Sequence, residues 1–124
     1  MKTFLSLVLV LGFVSACAKA PPTLSPTAQR AFNQTRVIGA LDILRDTAVA
    51  AEAAQPPQMT TATARKVVTA HQSALRVMDA AGAGWQAAIA TSLDELLSNV
   101  SASERAILAP YIALAKTVLN AVTP

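Results

Sequence analysis

Apolar residues recur at helical spacing in four segments of this chain, and this repeat constrains the fold more than any other sequence feature. In the first segment, intervals of four and three residues place one apolar stripe on one face of a helix: Val37, Leu41, Leu44, Ala48 and Ala51. No segment shows the apolar-polar alternation that is typical of a strand. The sequence therefore predicts an all-α domain.

Capping and turn residues predict where the first two helices begin and end. Ser25 followed by Pro26 is typical of a helix start, because proline at the first helical position loses no hydrogen bond. The first helix is expected over residues 26–54 and ends at Gln55-Pro56-Pro57-Gln58. Thr60 or Thr61 can then cap a second helix, which extends to residue 81.

The next two boundaries predict a third and a fourth helix. Gly82-Ala83-Gly84 separates the second helix from a third over residues 85–100. Ser101-Ala102-Ser103-Glu104 matches a capping box, in which the serine and the glutamate each satisfy a free backbone amide at a helix start. Pro110 interrupts the fourth helix, so either this helix bends there or a new helix begins near Pro110.

The same spacing predicts which faces turn to the core. Because short connections favour antiparallel neighbours, we expect a small up-and-down bundle of three to four helices. The predicted core residues of the second, third and fourth helices are, in order, Ala64, Val67, Val68, His71, Ala74, Leu75 and Met78; Trp85, Ile89, Leu93, Leu96, Leu97 and Val100; and Ile107, Tyr111, Leu114, Val118 and Val122.

Two residues of the first helix stand apart from its apolar stripe. Arg36 falls off the stripe, so its side chain is expected on the outer side of the helix. Gly39 weakens the helix by up to about 1 kcal/mol relative to alanine, and it predicts a close approach of a neighbouring helix.

Composition and charge limit the classes of partner. Hydrophobic residues make up 53% of the chain but aromatic residues only 4%, which favours helices with small side chains that pack closely together. Basic residues outnumber acidic ones by ten to seven and are scattered singly. Nucleic-acid binding usually needs a clustered basic stripe with aromatic partners, so no nucleic-acid partner is predicted.

The first residues read as a signal peptide. Met1-Lys2-Thr3 supplies a positive start, and the apolar run over residues 4–14 is too short to span a bilayer. The run ends in Val14-Ser15-Ala16-Cys17, which resembles the lipobox of bacterial lipoproteins. The resemblance implies cleavage between Ala16 and Cys17 and a diacylglycerol on the Cys17 thiol. Ordinary secretion is the alternative, with Ala16-Cys17-Ala18 as the cleavage site and Ala18 the last residue removed.

Cys17 is the only cysteine, so it cannot form a disulfide within the chain, and lipidation would explain its presence. The expected organisation is a signal peptide over 1–16, a lipidated cysteine with a short extended tether over 17–25, and a helical domain over 26–124. The tether reaches only about 20–25 Å, which keeps the domain near one membrane. Because alanine rather than aspartate follows Cys17, the resemblance implies the outer membrane, facing the periplasm.

Candidate chemistry centres on few residues. His71 is the only histidine, which excludes a site with two imidazole ligands in one chain. We interpret it as a partly buried histidine with one hydrogen-bond partner or, alternatively, as a pH-sensitive contact. Asp42 and Asp46 are four residues apart, project from one side of a helix, and could hold a metal or work as paired carboxylates. Arg45 lies beside them, however, so a solvated charged face is the preferred interpretation. No cofactor is predicted.

The sequence therefore predicts a membrane-anchored, non-enzymatic lipoprotein whose helical domain binds or modulates an envelope protein. An enzyme is disfavoured because the polar residues form no recognisable catalytic pattern. The alternative is a membrane-active lipoprotein that lyses or stresses the envelope. Residues 106–122 bear on this choice, since Lys116 is their only charge. They are expected to form a buried core helix or, alternatively, a helix that lies on a membrane or a partner.

Overall fold

A computed structural model describes residues 24–80 and 84–122 of the chain. The predicted signal peptide, Cys17 and most of the predicted tether lie outside the described residues. Four α-helices and no strand occupy the described part, which confirms the predicted all-α bundle. The helices are α1 (Pro26–Ala53), α2 (Thr61–Ala80), α3 (Trp85–Ser98) and α4 (Ala102–Val122).

Local capping explains where these helices begin. The Ser25 hydroxyl accepts a hydrogen bond from the Ala28 amide at 3.2 Å, with Pro26 at the first helical position. The Thr60 hydroxyl accepts one from the Thr63 amide, also at 3.2 Å, so Thr60 is the predicted cap of α2. At the start of α3, Gly84 has a φ of 97°, a left-handed conformation that glycine adopts at little cost.

The helices form an up-and-down ring in which α1 packs between α2 and α4, and α3 closes the other side. At one end, Arg30 and Gln34 of α1 donate to the carbonyl of Met78 near the end of α2. We call this the Ser25 end. At the opposite end, which we call the Glu104 end, the Thr60 amide before α2 lies 2.9 Å from Glu104 in the first turn of α4.

All four helices contribute to one apolar core. The five predicted stripe residues of α1 are all buried, as are Trp85, Ile89, Leu93 and Leu96 of α3. Buried alanines on α1, α2 and α4 let the helices pack closely, as the composition predicted. The largest side chains that are fully buried are Leu41, Met78, Ile89, Leu108, Ile112 and Leu119.

The predicted core face of α4 is wrong by about one residue in the first part of the helix, whereas the predicted Val118 and Val122 are buried. Leu108, Ile112 and Leu119 are buried, whereas the predicted Ile107, Tyr111 and Leu114 are only half-buried. The helix is apolar on most of its circumference, so periodicity alone could not select the inner face. α4 also continues through Pro110 as one helix, which excludes a new helix beginning there.

Both expectations about the special residues of α1 are wrong. Arg36 is only 7% exposed, and its guanidinium carbon lies 5.8 Å from the centre of the Phe32 ring. Because α1 packs against two neighbours, its buried arc is wider than the five-residue stripe. Gly39 lies on the exposed side, where no atom would come within 4 Å of an added Cβ, so it permits no close helix approach.

By length and composition, α4 is the one helix in the described part that could cross a membrane. Its mean hydropathy reaches 1.2 over 18 residues, and a third of that window is buried inside the bundle. Core helices of soluble proteins meet the same criterion. The buried face of α4 shows that this helix serves the bundle as a core element.

Candidate functional site

A cluster of ionisable side chains joins α1 to α2 near the middle of the bundle, and we call Asp42, Arg45, Asp46 and His71 the α1–α2 cluster. The His71 Nε2 atom lies 2.6 Å from Asp42 Oδ1. Arg45 lies 3.6 Å from that carboxylate and 3.0 Å from Asp46. His71 is 7% exposed and Asp42 is 41% exposed, so only the acidic side of the pair opens to solvent.

The chemistry of the cluster follows from its donors and acceptors. An ionised carboxylate only accepts hydrogen bonds, so the His71 Nε2–H donates to Asp42. Arg45 bridges the two carboxylates, which therefore do not face one another as a catalytic pair. Among the described residues, no group of three or more His, Cys, Asp or Glu side chains could hold a metal ion. The pH sensitivity of the His71 contact stays a prediction.

A second polar cluster surrounds the carboxylate of Glu104, which is 6% exposed. Its Oε1 atom accepts the Ser101 hydroxyl at 2.9 Å and the Ser101 amide at 3.3 Å, while the Glu104 amide donates to the Ser101 hydroxyl. This is the predicted capping box. The other oxygen, Oε2, accepts the Thr60 amide at 2.9 Å and the Thr60 hydroxyl at 3.2 Å.

Glu104 therefore connects the start of α4 to the start of α2. The hydrogen bond from the Thr60 amide lowers the pKa of the Glu104 carboxyl from 4.5 to about 2, opposed by burial and assisted by Ser101 and Thr63. The sequence predicted the capping box but not the contact between Glu104 and Thr60, because these two residues are 44 positions apart in the chain. A glutamate with a second, distant set of donors leaves no local sequence signal.

Two cations satisfy backbone carbonyls at the end of α3, near Glu104. Lys66 donates to the Asn99 carbonyl at 3.1 Å. Arg105 donates to the carbonyls of Leu97 and Val100 at 3.0 and 3.3 Å. Positive charge at a helix C-terminus is favourable, so these side chains stabilise the Glu104 end of the bundle.

Two open grooves run between neighbouring helices. The α2–α3 groove has a volume of about 590 Å³ and carries charge on its walls, from Arg65, Lys66 and Glu95. The α1–α4 groove has a volume of about 560 Å³ and contains no Lys, Arg, His, Asp or Glu. The residues that line this second groove are Thr47, Ala50, Ala51, Ala54, Gln58, Ile107, Pro110 and Tyr111.

The exposed face of α4 extends the α1–α4 groove without adding charge. Ala106, Pro110 and Ala113 are all exposed along it, and we call the groove together with these residues the uncharged surface. In contrast, α2 exposes Arg65, Lys66, Arg76 and Asp79, and α3 exposes Asp94 and Glu95. Since proline has no amide proton, the Ala106 carbonyl also lacks its helical donor four residues later.

Comparison with known proteins finds no matching family model, no similar curated protein and no similar solved structure. Functional interpretation therefore rests on the residues of this chain. The structure brings His71 and Asp42 together, places Asp46 on the far side of Arg45, and identifies the uncharged surface, whose groove sequence reasoning did not find.

Proposed function

We propose that this chain is an exported lipoprotein, held to a membrane by lipid on Cys17, whose helical domain binds another protein of the cell envelope. The run Val14-Ser15-Ala16-Cys17 supports the anchor, because it resembles a lipobox and contains the only cysteine. The observation that carries the binding role is the uncharged surface, which we assign as the contact surface for the partner.

The chemistry of this surface suits a protein partner. Burying it requires no ion to lose its hydration, whereas covering the charged faces of α2 or α3 would. Small side chains such as Ala50, Ala106 and Ala113 let a partner backbone approach closely. Tyr111 is half-buried at the groove, and tyrosine is enriched in protein interfaces. The Ala106 carbonyl offers an acceptor to a donor from the partner.

A charge placed on this surface tests the proposal. Ala113→Glu should prevent complementation of a null mutant, because the buried contact would then contain an unpaired carboxylate. Ala62→Glu is the matched control, since Ala62 is an exposed alanine on α2 outside the surface. A photo-crosslinking residue at position 113 should link to an envelope protein, and one at position 62 should not. Normal complementation and crosslinking by a folded Ala113→Glu variant would refute the contact surface.

The anchor has its own test. Cys17→Ala should abolish incorporation of a fatty-acid analogue, because no other thiol can receive the diacylglycerol. Two stably buried acyl chains are enough to hold a protein on a membrane, so the variant should also leave the membrane fraction. An unlipidated mature chain that begins at Lys19 would show ordinary secretion instead.

A second candidate function is membrane activity. The only observation that favours it is the length and hydropathy of α4. The buried face of α4 packs within the bundle, so this helix would have to leave the other three before it inserted. Membrane activity therefore predicts that purified protein releases dye from lipid vesicles, and that a destabilising variant such as Leu108→Ala releases more. Protein binding predicts no release from either protein.

A further inference from the structure

Charged side chains are divided unevenly between the two ends of the bundle. In the described part, the half at the Ser25 end comprises residues 24–38, 72–80, 84–91 and 112–122. It carries four basic side chains and one acidic, a net charge of +3: Arg30, Arg36, Arg76 and Lys116 against Asp79. Arg36 is buried, and Lys116 lies 2.8 Å from Asp94 of the other half, so Arg30 and Arg76 carry the exposed positive charge of this end.

The half at the Glu104 end comprises residues 39–71 and 92–111. It carries four basic and six acidic side chains, a net charge of −2: Arg45, Arg65, Lys66 and Arg105 against Asp42, Asp46, Glu52, Asp94, Glu95 and Glu104. The bundle is therefore positive at the Ser25 end and negative at the Glu104 end.

The proposed anchor enters at the positive end. Eight residues separate Cys17 from Pro26, and even a fully extended chain spans at most about 3.5 Å per residue, or roughly 30 Å here. Lys19, within this segment, adds a further positive charge. The 28 residues of α1 then extend about 40 Å away from the Ser25 end. The anchor therefore keeps the positive end close to the bilayer.

An exposed aromatic residue lies at the same end. Phe32 is 37% exposed, and only Val49, at the Glu104 end, is a comparably exposed large apolar residue in the described part. The guanidinium of Arg36 packs against the Phe32 ring. Aromatic rings beside basic side chains are typical of surfaces that rest in the headgroup region of a membrane.

We infer that the Ser25 end binds the anionic headgroups of the membrane that holds the anchor, with Arg30, Arg76 and Phe32 at the contact. This inference rests on the proposed lipidation of Cys17. Because the Ser25 end is positive, it should bind an anionic phospholipid surface more strongly than a neutral one. The same anionic surface repels the acidic Glu104 end. The bundle then stands away from the bilayer, and the α1 wall of the α1–α4 groove, from Thr47 to Ala54, lies roughly 30–40 Å along α1 from the Ser25 end.

Trp85 provides the readout, because it is the only tryptophan and begins α3 at the Ser25 end. The mature lipidated protein is reconstituted in vesicles of phosphatidylcholine with or without phosphatidylglycerol, each containing lipids with a nitroxide on the headgroup. We expect stronger quenching of Trp85 fluorescence on the anionic vesicles, and salt should reduce the difference by screening the charges. Equal quenching on both kinds of vesicle would overturn the inference.

Arg76→Glu and Arg65→Glu form a matched pair of variants. Both arginines are exposed on α2, eleven residues apart and so on the same face, and neither side chain makes a hydrogen bond or ion pair within the described part. One charge near an anionic membrane changes binding about fivefold, so Arg76→Glu should lower the ratio of docked to undocked domain at least fivefold. Arg65→Glu should leave that ratio unchanged, and an equal loss in both folded variants would contradict the inference.

The mass of the mature protein separates this test from that of the proposed function. A chain without diacylglycerol on Cys17 would refute the anchor on which the inference rests. A lipidated chain whose Trp85 is quenched equally on both kinds of vesicle would refute only the docking of the Ser25 end.

Discussion

The two interfaces of α1 differ in kind. Toward α2, α1 makes directional polar contacts: Gln34 donates to the Met78 carbonyl, and Asp42 accepts from His71. Toward α4, it packs against a helix whose inner face is the apolar row of Leu108, Ile112 and Leu119. Directional contacts are satisfied at only one register, whereas apolar packing depends mainly on area and shape. We therefore expect the α2 side to specify the alignment of α1 and the α4 side to contribute more of the stability.

The largest expected effect comes from the apolar side. Leu108→Ala should destabilise the bundle by about 2–5 kcal/mol, since it removes a fully buried side chain and leaves a cavity. Leu114→Ala is the control, because the half-buried Leu114 loses less contact, and its cost should stay below about 1.5 kcal/mol. Urea denaturation followed by circular dichroism measures both. Equal costs would mean that α4 has no preferred inner face.

Glu104 connects the two sides, since it joins the start of α2 to the start of α4. Glu104→Gln should cost about 1–3 kcal/mol at neutral pH, because it removes the charge that strengthens the hydrogen bonds from Thr60 and Ser101. Glu95→Gln, on the exposed face of α3, should change stability by less than about 0.5 kcal/mol. A comparable loss in both variants would show that general charge, rather than this cluster, is responsible.

The same carboxylate predicts a pH dependence. Because folding lowers the pKa of Glu104 from 4.5 to about 2, its contribution is fully present above pH 4.5 and is lost as pH falls from 4.5 toward 2. The free energy of unfolding should therefore fall by at most about 3 kcal/mol through this group over that window. Denaturation curves at several pH values should show a smaller acid slope for Glu104→Gln. An unchanged slope would refute the assignment.

A smaller effect is expected on the polar side. Asp42→Asn should cost about 0.5–1.5 kcal/mol, since it weakens the hydrogen bond from His71 and the ion pair with Arg45. Asp46→Asn should change stability by at most about 0.5 kcal/mol, because Asp46 is exposed and contacts only Arg45. If the cluster is structural, the double variant should still complement a null mutant once folding is verified. Loss of complementation by a folded variant would indicate a catalytic or binding role.

The sequence predicts the inner face of a helix only where charged or polar residues separate its apolar positions. In α1 and α3, charged or polar residues flank the apolar stripe, so spacing selects the inner face correctly. In α4, the stretch from Ala106 to Ala115 has no charge, and the predicted face was displaced by about one residue. The capping box could be predicted because its two partners are three residues apart. The Thr60 contact and the α1–α4 groove depend on packing between distant segments, which no single-segment pattern contains.

The smallest expected effect is a gain in stability that leaves both interfaces of α1 untouched. Gly39→Ala should stabilise the protein by about 0.5–1 kcal/mol, because alanine restricts the unfolded chain and favours the helix. The added methyl group meets no atom within 4 Å, so neither the α2 side nor the α4 side changes.

Gly84→Ala is the contrasting variant. It also meets no atom, but its φ of 97° strains any side chain, so it should destabilise the protein by about 1 kcal/mol or more. Thermal denaturation should shift in opposite directions for the two variants. A loss of stability in Gly39→Ala would instead show that the exposed side of α1 is covered in solution. α1 would then have a third interface, in addition to those with α2 and α4.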